Sequence, residues 1–391
     1  MIFFTATGYM TVMFWLAVLV VWYAYVGYFV VLAVLDLFRG KEAVRQDDES
    51  LPTVSLVISA YNEEGVIAEK LRNSLALDYP EELLEIVVVS DGSQDATQGI
   101  VGSYADQGVV LRHYEGHIGK TACLNRAVPE VKGEIVVFSD ANSQYDRHAL
   151  RHLVKRFADA RIGWVTGRTE YISAAGDRAL STAGLYSRIE RSLKVLESRI
   201  GSCVGADGAI FAIRKSLYRP LKDYDINDFV IPAKIIQQGF RGVLVEDAYC
   251  VERAAGSVSG EFVRHVRITA RSLRAIFTHS SLLNPFRYPL FSFELVSHKL
   301  MKFLVPFALP VALVFNGLIV AMGAGPFYIV TLSLQVVFYA LWLAGWLKVP
   351  VPFLSRPASV VVTFCTVNLA ILLGWIKYFR GETFTTWATG R

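Results

Sequence analysis

The sequence predicts an α/β domain, a mostly parallel sheet flanked by helices, carried between N-terminal and C-terminal transmembrane helices. Three observations predict it. Three long runs hold no charged residue: Met1 to Leu35, Phe303 to Leu347 and Pro357 to Ile376. Between the first two, short β-branched runs alternate with longer helical patterns, as in a sheet covered by helices. The polar clusters of that middle part fall at the ends of the short runs, where open α/β sheets gather their ligands.

The apolar runs come first in the chain. With 53% hydrophobic and 19% charged residues and a mean hydropathy of +0.39, the chain is more apolar than an ordinary soluble protein, at about 45–50%. Roughly 20 apolar residues cross a bilayer, so each run can span. Phe303 to Leu347 is long enough for two spans, and "GAGP" at Gly323 to Pro326 breaks it near the middle. One N-terminal span and about three C-terminal ones follow. The first 35 residues lack the basic start and short apolar region of a secretory signal peptide, so an uncleaved anchor is expected. Arg39, Lys41 and Arg45 after it mark the cytoplasmic side, which makes the chain a multi-pass protein of the cell (inner) membrane with a cytoplasmic middle. Three C-terminal spans put the C-terminus outside, whereas Lys377, Arg380 and Arg391 prefer the inside. One apolar run is therefore expected to be interfacial or re-entrant.

The organisation that follows is an N-terminal transmembrane anchor over 1–38, an α/β domain over 39–257, amphipathic interfacial helices over 258–302 and a C-terminal transmembrane region over 303–391. Asp47 to Pro52 read as the linker from anchor to domain. The four cysteines, Cys123, Cys203, Cys250 and Cys365, have no CxxC spacing, so neither a zinc site nor a disulfide framework is indicated. A net charge of +4 is small for 391 residues and argues against a nucleic-acid partner.

Within the α/β domain the order is "TVSLVISA", a helical pattern over 63–76, "LEIVVVSD", a second helical pattern over 94–105, and later "EIVVFSDAN". Tyr61, Asn62 and Glu63 follow the first run, Asp91, Gly92 and Ser93 close and follow the second, and Asp140 and Asn142 end the third. Three separate strand ends carrying acids and amides exceed what turn chemistry alone requires. No Walker-type loop, GxGxxG or HExxH is present, and His148 and His152, though at i, i+4, have no acidic residue placed as in zinc proteases. They read as exposed helix residues. Arg264, Arg267, Arg271 and Arg274 are spaced three, four and three apart, one face of a helix, and a basic amphipathic helix just before a span suits membrane lipid headgroups.

Taken in order, "SAYNEEGVI", "VVVSDGSQDAT", "GKTACLN", "FSDAN" and "NDFVIP" resemble the inverting glycosyltransferase family 2, which includes cellulose, chitin and hyaluronan synthases on the GT-A, Rossmann-like fold. The resemblance covers about Pro52 to Lys302. It implies transfer of a sugar from a UDP-sugar to a hydroxyl acceptor in polysaccharide or glycolipid synthesis at the membrane. Tyr61, Glu63, Asp91, Lys120, Asp140 and Arg267 then match nucleotide-sugar contacts. Carboxylates suit base N–H and ribose hydroxyl groups, and an ammonium suits a diphosphate. "SDAN" matches the metal-binding DxD signature with Asp140 first and the amide Asn142 third, implying Mg²⁺ or Mn²⁺ on the diphosphate. Asp228 matches the catalytic base, with Asp225 three residues earlier as its rival.

The resemblance departs from the synthases at QxxRW, where Arg264 stands at the glutamine, Arg267 at the arginine and Ile268 at the tryptophan. This acceptor region thus lacks the aromatic platform of the polymerising members, which implies one or a few sugars per encounter, or a homo-oligomer or export partner. The readings to be separated are a transferase of glycans, a single-addition transferase of polyprenyl phosphate or another lipid, and a catalytically silent scaffold or export subunit.

Overall fold

The computed structural model describes residues 6–39, 51–172, 182–253, 258–323, 325–347 and 355–385. Lys41, Arg45, Arg391 and most of the expected linker lie outside them. The chain divides into two units, one holding Leu35–Ser257, Arg271–Glu294 and Thr383–Arg391, the other Met1–Val34, Val258–Ala270 and Leu295–Glu382.

The first unit is built on one eight-stranded sheet: β1 (Val54–Ala60), β2 (Leu84–Asp91), β3 (Val109–Tyr114), β4 (Ile135–Asp140), β5 (Gln144–Tyr145), β6 (Ile162–Ile172), β7 (Ile210–Arg214) and β8 (Arg241–Arg253). Their spatial order is β3-β2-β1-β4-β7-β6-β8-β5. β1, β2, β3 and β4 are parallel, and β7 joins antiparallel to β4 and β6. β1 is buried along its whole length, which is why "VSLVISA" shows no polar alternation: a parallel strand covered on both faces reads as a nearly continuous apolar run. Leu56, Ile58, Ile86, Val88, Ile135 and Val137 share one core with Ile67 and Leu71 of the helix after β1. After β1 the chain first adds β2 on one side and later β4 on the other, so the crevice at the β1/β4 carboxyl ends is a topological switch point. There Ser59 is in register with Asp140 and Ala60 with Ser90.

The helices, in chain order, are α1 (Ala6–Trp22), α2 (Tyr28–Leu37), α3 (Ile67–Leu75), α4 (Thr97–Gly102), α5 (Lys120–Glu130), α6 (Ala149–Lys155), α7 (Thr182–Ile200), α8 (Asn227–Gln237), α9 (Val258–Thr278), α10 (Pro289–Leu295), α11 (Met301–Ala321), α12 (Pro326–Trp346) and α13 (Ser355–Phe379). In the second unit α1 packs on α11 through Phe14, Ala17, Ala308, Ala312 and Ile319, and the Trp375 indole N–H of α13 donates to the Phe303 carbonyl at 2.8 Å. Four helical stretches are long and apolar enough to cross a membrane: Thr7–Leu37, Pro289–Ala321, Pro326–Trp346 and Ala358–Phe379. This matches one span before the α/β domain and three after it. The second of them is continuous from Pro289 and contains Lys299 and Lys302. α12 buries no residue.

Candidate active site

The loops after β1 and β2 are stitched to each other by short polar side chains. Asn62 takes a left-handed backbone, φ 52°, which asparagine tolerates better than most residues. Its amide N–H donates to Ser93 Oγ at 3.1 Å, and its side-chain oxygen accepts from the Gln94 amide at 2.8 Å. The Glu63 amide donates to Thr97 Oγ1 at 2.9 Å and the Glu64 amide to Asp95 Oδ2 at 3.0 Å. Tyr61 and Glu63 are thereby held, half-buried, at the mouth of the crevice.

Asp91 is buried, and its carboxylate faces inward to the loop 116–119. It accepts from the Ile118 amide at 2.8 Å and from the Gly119 amide at 3.1 and 3.0 Å. Gly92 is left-handed at φ +70°, and a Cβ there would lie 3.0 Å from the Gly116 carbonyl carbon. The "DGS" turn thus closes against this loop and fixes the start of α5, whose first residue is Lys120. The sequence reading did not single out His117. Its Nδ1 lies 3.0 Å from Asp91 Oδ2, and its ring stacks on Tyr61 with centroids 3.8 Å apart and planes 20° from parallel. It joins two residues expected at the nucleotide. Gly119, at φ +96°, also meets the chain's other end: a Cβ there would lie 2.4 Å from the Thr385 carbonyl oxygen.

Asp140 ends β4 and opens the turn that carries Asn142. Lys120 Nζ lies 2.5 Å from Asp140 Oδ1, with the two side chains 17% and 32% exposed. The turn is braced from behind. Lys70 of α3, fully buried, donates to the Ser143 carbonyl at 2.6 Å and sits 3.9 Å above the Tyr145 ring, while Ser143 Oγ donates to Glu252. Burial lowers the Lys70 pKa to about 7, with Cys250, Asp140 and Glu252 pulling it back up. Asp140 and Asn142 supply one carboxylate and one amide. Among the described residues no three His, Cys, Asp or Glu side chains are grouped to hold a metal ion. A divalent cation therefore fits here only if substrate oxygens complete its coordination, the usual habit of Mg²⁺ beside a diphosphate.

The two rival aspartates sit in different surroundings. Asp225 is buried and structural: its Oδ2 accepts from the Lys222 amide at 2.9 Å, and its carbonyl accepts from Thr121 Oγ1 at 2.9 Å and from Arg271. Asp228 is half-buried in the first turn of α8, where the helix dipole favours negative charge. Its carboxylate faces Gly208, at which a Cβ would lie 2.9 Å from Asp228 Oδ2. The Ala206 amide donates to the Asp228 carbonyl at 2.9 Å, and Asp207 is held by Thr169 and Thr166. The "GADG" loop, Gly205 to Gly208, thus backs the candidate base, a role the sequence reading missed.

The arginine helix α9 is split between the two units. Arg264, Arg267 and Ile268 belong with the membrane helices; Arg264 is exposed and 3.2 Å from Glu261, and Arg267 and Ile268 are half-buried. Arg271 and Arg274 belong with the sheet. Arg271 donates to the carbonyls of Tyr224, at 3.3 Å, and Asp225, and the Arg274 guanidinium lies 5.5 Å from the Tyr224 ring centroid. These two hold the loop before α8, a partner that the sequence reading did not offer. His148, at the N-cap of α6, is exposed and 3.1 Å from Asp78, and His152 is half-buried.

Known proteins resemble parts of this chain. Residues 55–220 match the model of glycosyl transferase family 2. A β-monoglucosyldiacylglycerol synthase of Trichormus variabilis is 33% identical over 140 residues, 35% of this chain and 30% of that protein. A poly-β-1,6-N-acetyl-D-glucosamine synthase of Staphylococcus epidermidis is 24% identical over 190 residues, 48% and 46% of the two chains. The chain thus spans about a third of the length of the first of these relatives and about half of the second. Among solved structures, a mannosyltransferase of Pyrobaculum calidifontis in complex with GDP-mannose and Mn²⁺ superposes with a TM-score of 0.72 at 23% identity, covering 95% of this chain and 99% of that one. The sheet of the first unit is of GT-A type, and residues 55–220, which carry most of its motif-bearing strand ends, are similar to glycosyl transferase family 2.

Proposed function

We propose that the protein is a membrane-bound inverting glycosyltransferase that moves a sugar from a nucleotide-sugar to a hydroxyl of a glycan or lipid-linked acceptor. One observation carries the reading: Lys120 and Asp140 meet at the β1/β4 switch point, beside a loop locked by Asp91. The half-buried Asp228 opens α8 in the same unit.

In this reading Tyr61, Glu63 and the Asp91-fixed loop hold the nucleoside, and Lys120 meets the diphosphate. Asp140, with Asn142 in its turn, would hold Mg²⁺ or Mn²⁺ against the phosphates, where the cation supplies charge neutralisation to the leaving group. Asp228 accepts the proton of the acceptor hydroxyl. That oxygen forms a bond to the anomeric carbon on the face opposite the diphosphate, the carbon–phosphate-oxygen bond breaks, and the nucleoside diphosphate leaves, so the configuration inverts. The family resemblance alone adds Arg267 as a diphosphate contact and Arg264 and Ile268 as the acceptor region; these three belong to the other unit. The relatives named for glycolipid and polysaccharide synthesis support both acceptor classes. The aliphatic Ile268 favours short additions over a gripped polymer.

The cytoplasmic placement at the cell membrane rests on the arginine and lysine residues after the first span. The Thr385 carbonyl beside Gly119 supports a C-terminus on the catalytic side, in which case one of the three later helices does not cross completely. The test is turnover by purified full-length protein of UDP-glucose, UDP-N-acetylglucosamine and GDP-mannose, with Mn²⁺ or Mg²⁺, with and without lipid extract. Release of nucleoside diphosphate that requires Asp228 supports the enzyme. No release from any donor overturns it in favour of the scaffold.

A further inference from the structure

Asp140 is the one carboxylate of its turn, because the third place holds Asn142. In the free protein that carboxylate already has a cation on it, the Lys120 ammonium at 2.5 Å. The pairing is built in from both sides. Asp91 fastens the amides of Ile118 and Gly119, so the first residue of α5 is presented toward the end of β4. Lys70 and Glu252 hold Ser143, so the Asp140 turn cannot easily retreat. With only 17% of the lysine and 32% of the aspartate side chain exposed, water screens the pair less than a surface ion pair, and its attraction is correspondingly stronger.

A divalent cation approaching the free protein therefore meets a carboxylate whose charge is already compensated, and one amide beside it. A nucleoside diphosphate changes this. Its phosphate oxygens offer the Lys120 ammonium an alternative anion of higher charge, and they supply the hard oxygen ligands that the single-carboxylate turn lacks. Once Lys120 moves to the phosphates, Asp140 is open to the cation.

We propose that Lys120 and Asp140 form a latch that makes divalent-cation binding conditional on the nucleoside diphosphate. This rests on the functional reading above and adds to it an order of assembly: the nucleotide opens the latch, and the cation closes on Asp140 and the phosphates together. Thermodynamic linkage then requires the cation to raise nucleotide affinity by the same factor by which the nucleotide raises cation affinity.

Manganese binding to the purified full-length protein in detergent tests it, read by the paramagnetic resonance of free Mn²⁺, alone and with UDP or GDP. The expected result for the wild type is weak binding of Mn²⁺ alone and at least roughly tenfold tighter binding with nucleotide, within the usual range of coupling between sites. Lys120→Met, checked by its unfolding midpoint, should bind Mn²⁺ without nucleotide about tenfold more tightly than the wild type and show a correspondingly smaller coupling, the remainder coming from the phosphate ligands. Lys120→Arg should restore the weak binding, and Asp140→Asn should bind no Mn²⁺ in either condition. Equal Mn²⁺ affinity of the wild type with and without nucleotide, or no gain in Mn²⁺-only affinity in Lys120→Met, overturns the latch. Failure of both nucleotides to bind, with or without Mn²⁺, overturns the functional reading and the latch with it.

Discussion

The donor side and the acceptor side of the candidate site are built by different means. On the donor side, three parallel strands end in loops that bond to one another through short side chains: Asn62 to Ser93, Glu64 to Asp95, Asp91 to Gly119. Each of these residues sits within a few positions of a strand end, so its place follows from the sheet. On the acceptor side the positions come from helices. Asp228 opens α8, the loop before α8 is held by Arg271 and Arg274 from α9, and the "GADG" loop backs the carboxylate. A strand end presents its side chains by register, whereas a helix must be docked by long-range contacts. The donor side is thus rigid by local chemistry and the acceptor side by packing.

Substitutions can break or sharpen this contrast. The largest effect is expected at Asp228. Asp228→Asn should lower transfer at least about a hundredfold, as for loss of a general base, while calorimetry shows nucleotide affinity unchanged; loss of both would place Asp228 on the donor side. Asp91→Ala should do the reverse. It strands buried amide donors, each costing about 1–3 kcal/mol, so the unfolding midpoint should fall and nucleotide affinity should drop by about tenfold or more. Retained affinity would mean that the loop 116–119 holds itself. Arg271→Ala should lower the turnover number several-fold with little change in donor KM, since it loosens the loop before α8 and not the nucleotide loops; a rise in donor KM alone would contradict the division.

Legibility followed the same division. The runs "TVSLVISA", "LEIVVVSD" and "EIVVFSDAN" contain β1, β2 and β4, and the polar residues at their ends met in one crevice, because strand periodicity and turn chemistry are local. The strands β6, β7 and β8 were not singled out, since their pairing is set by partners far along the chain: β6 parallel to β8, and β7 antiparallel to β4 and β6. His117 escaped notice because nothing in "EGHIGK" alone shows that its ring will stack on Tyr61. Arg271 and Arg274 share the helical spacing of Arg264 and Arg267, and only their tertiary docking on the loop before α8 distinguishes them. Lys70 reads as an ordinary helix lysine until α3 is laid against β5.

Lys70 gives the expected effect most specific to the donor side. Its pKa falls from 10.5 to about 7 on folding, so between these values the unfolded chain binds more protons than the folded one. Stability should therefore rise as pH goes from about 7 toward 10, the cost of the buried ammonium being full below that window and gone above it. Lys70→Met should flatten this part of the unfolding-midpoint profile; an unchanged slope would assign it to other groups.

The most direct test of the central claim, inverting transfer at the β1/β4 crevice, is the anomeric configuration of the first-formed product. Proton NMR should follow purified protein acting on an α-linked UDP- or GDP-sugar at early times, before the free sugar equilibrates. The β anomer should appear first, and it should vanish in Asp228→Asn. An α product, or a β product that persists unchanged in Asp228→Asn, would contradict the assignment of the reaction to this site.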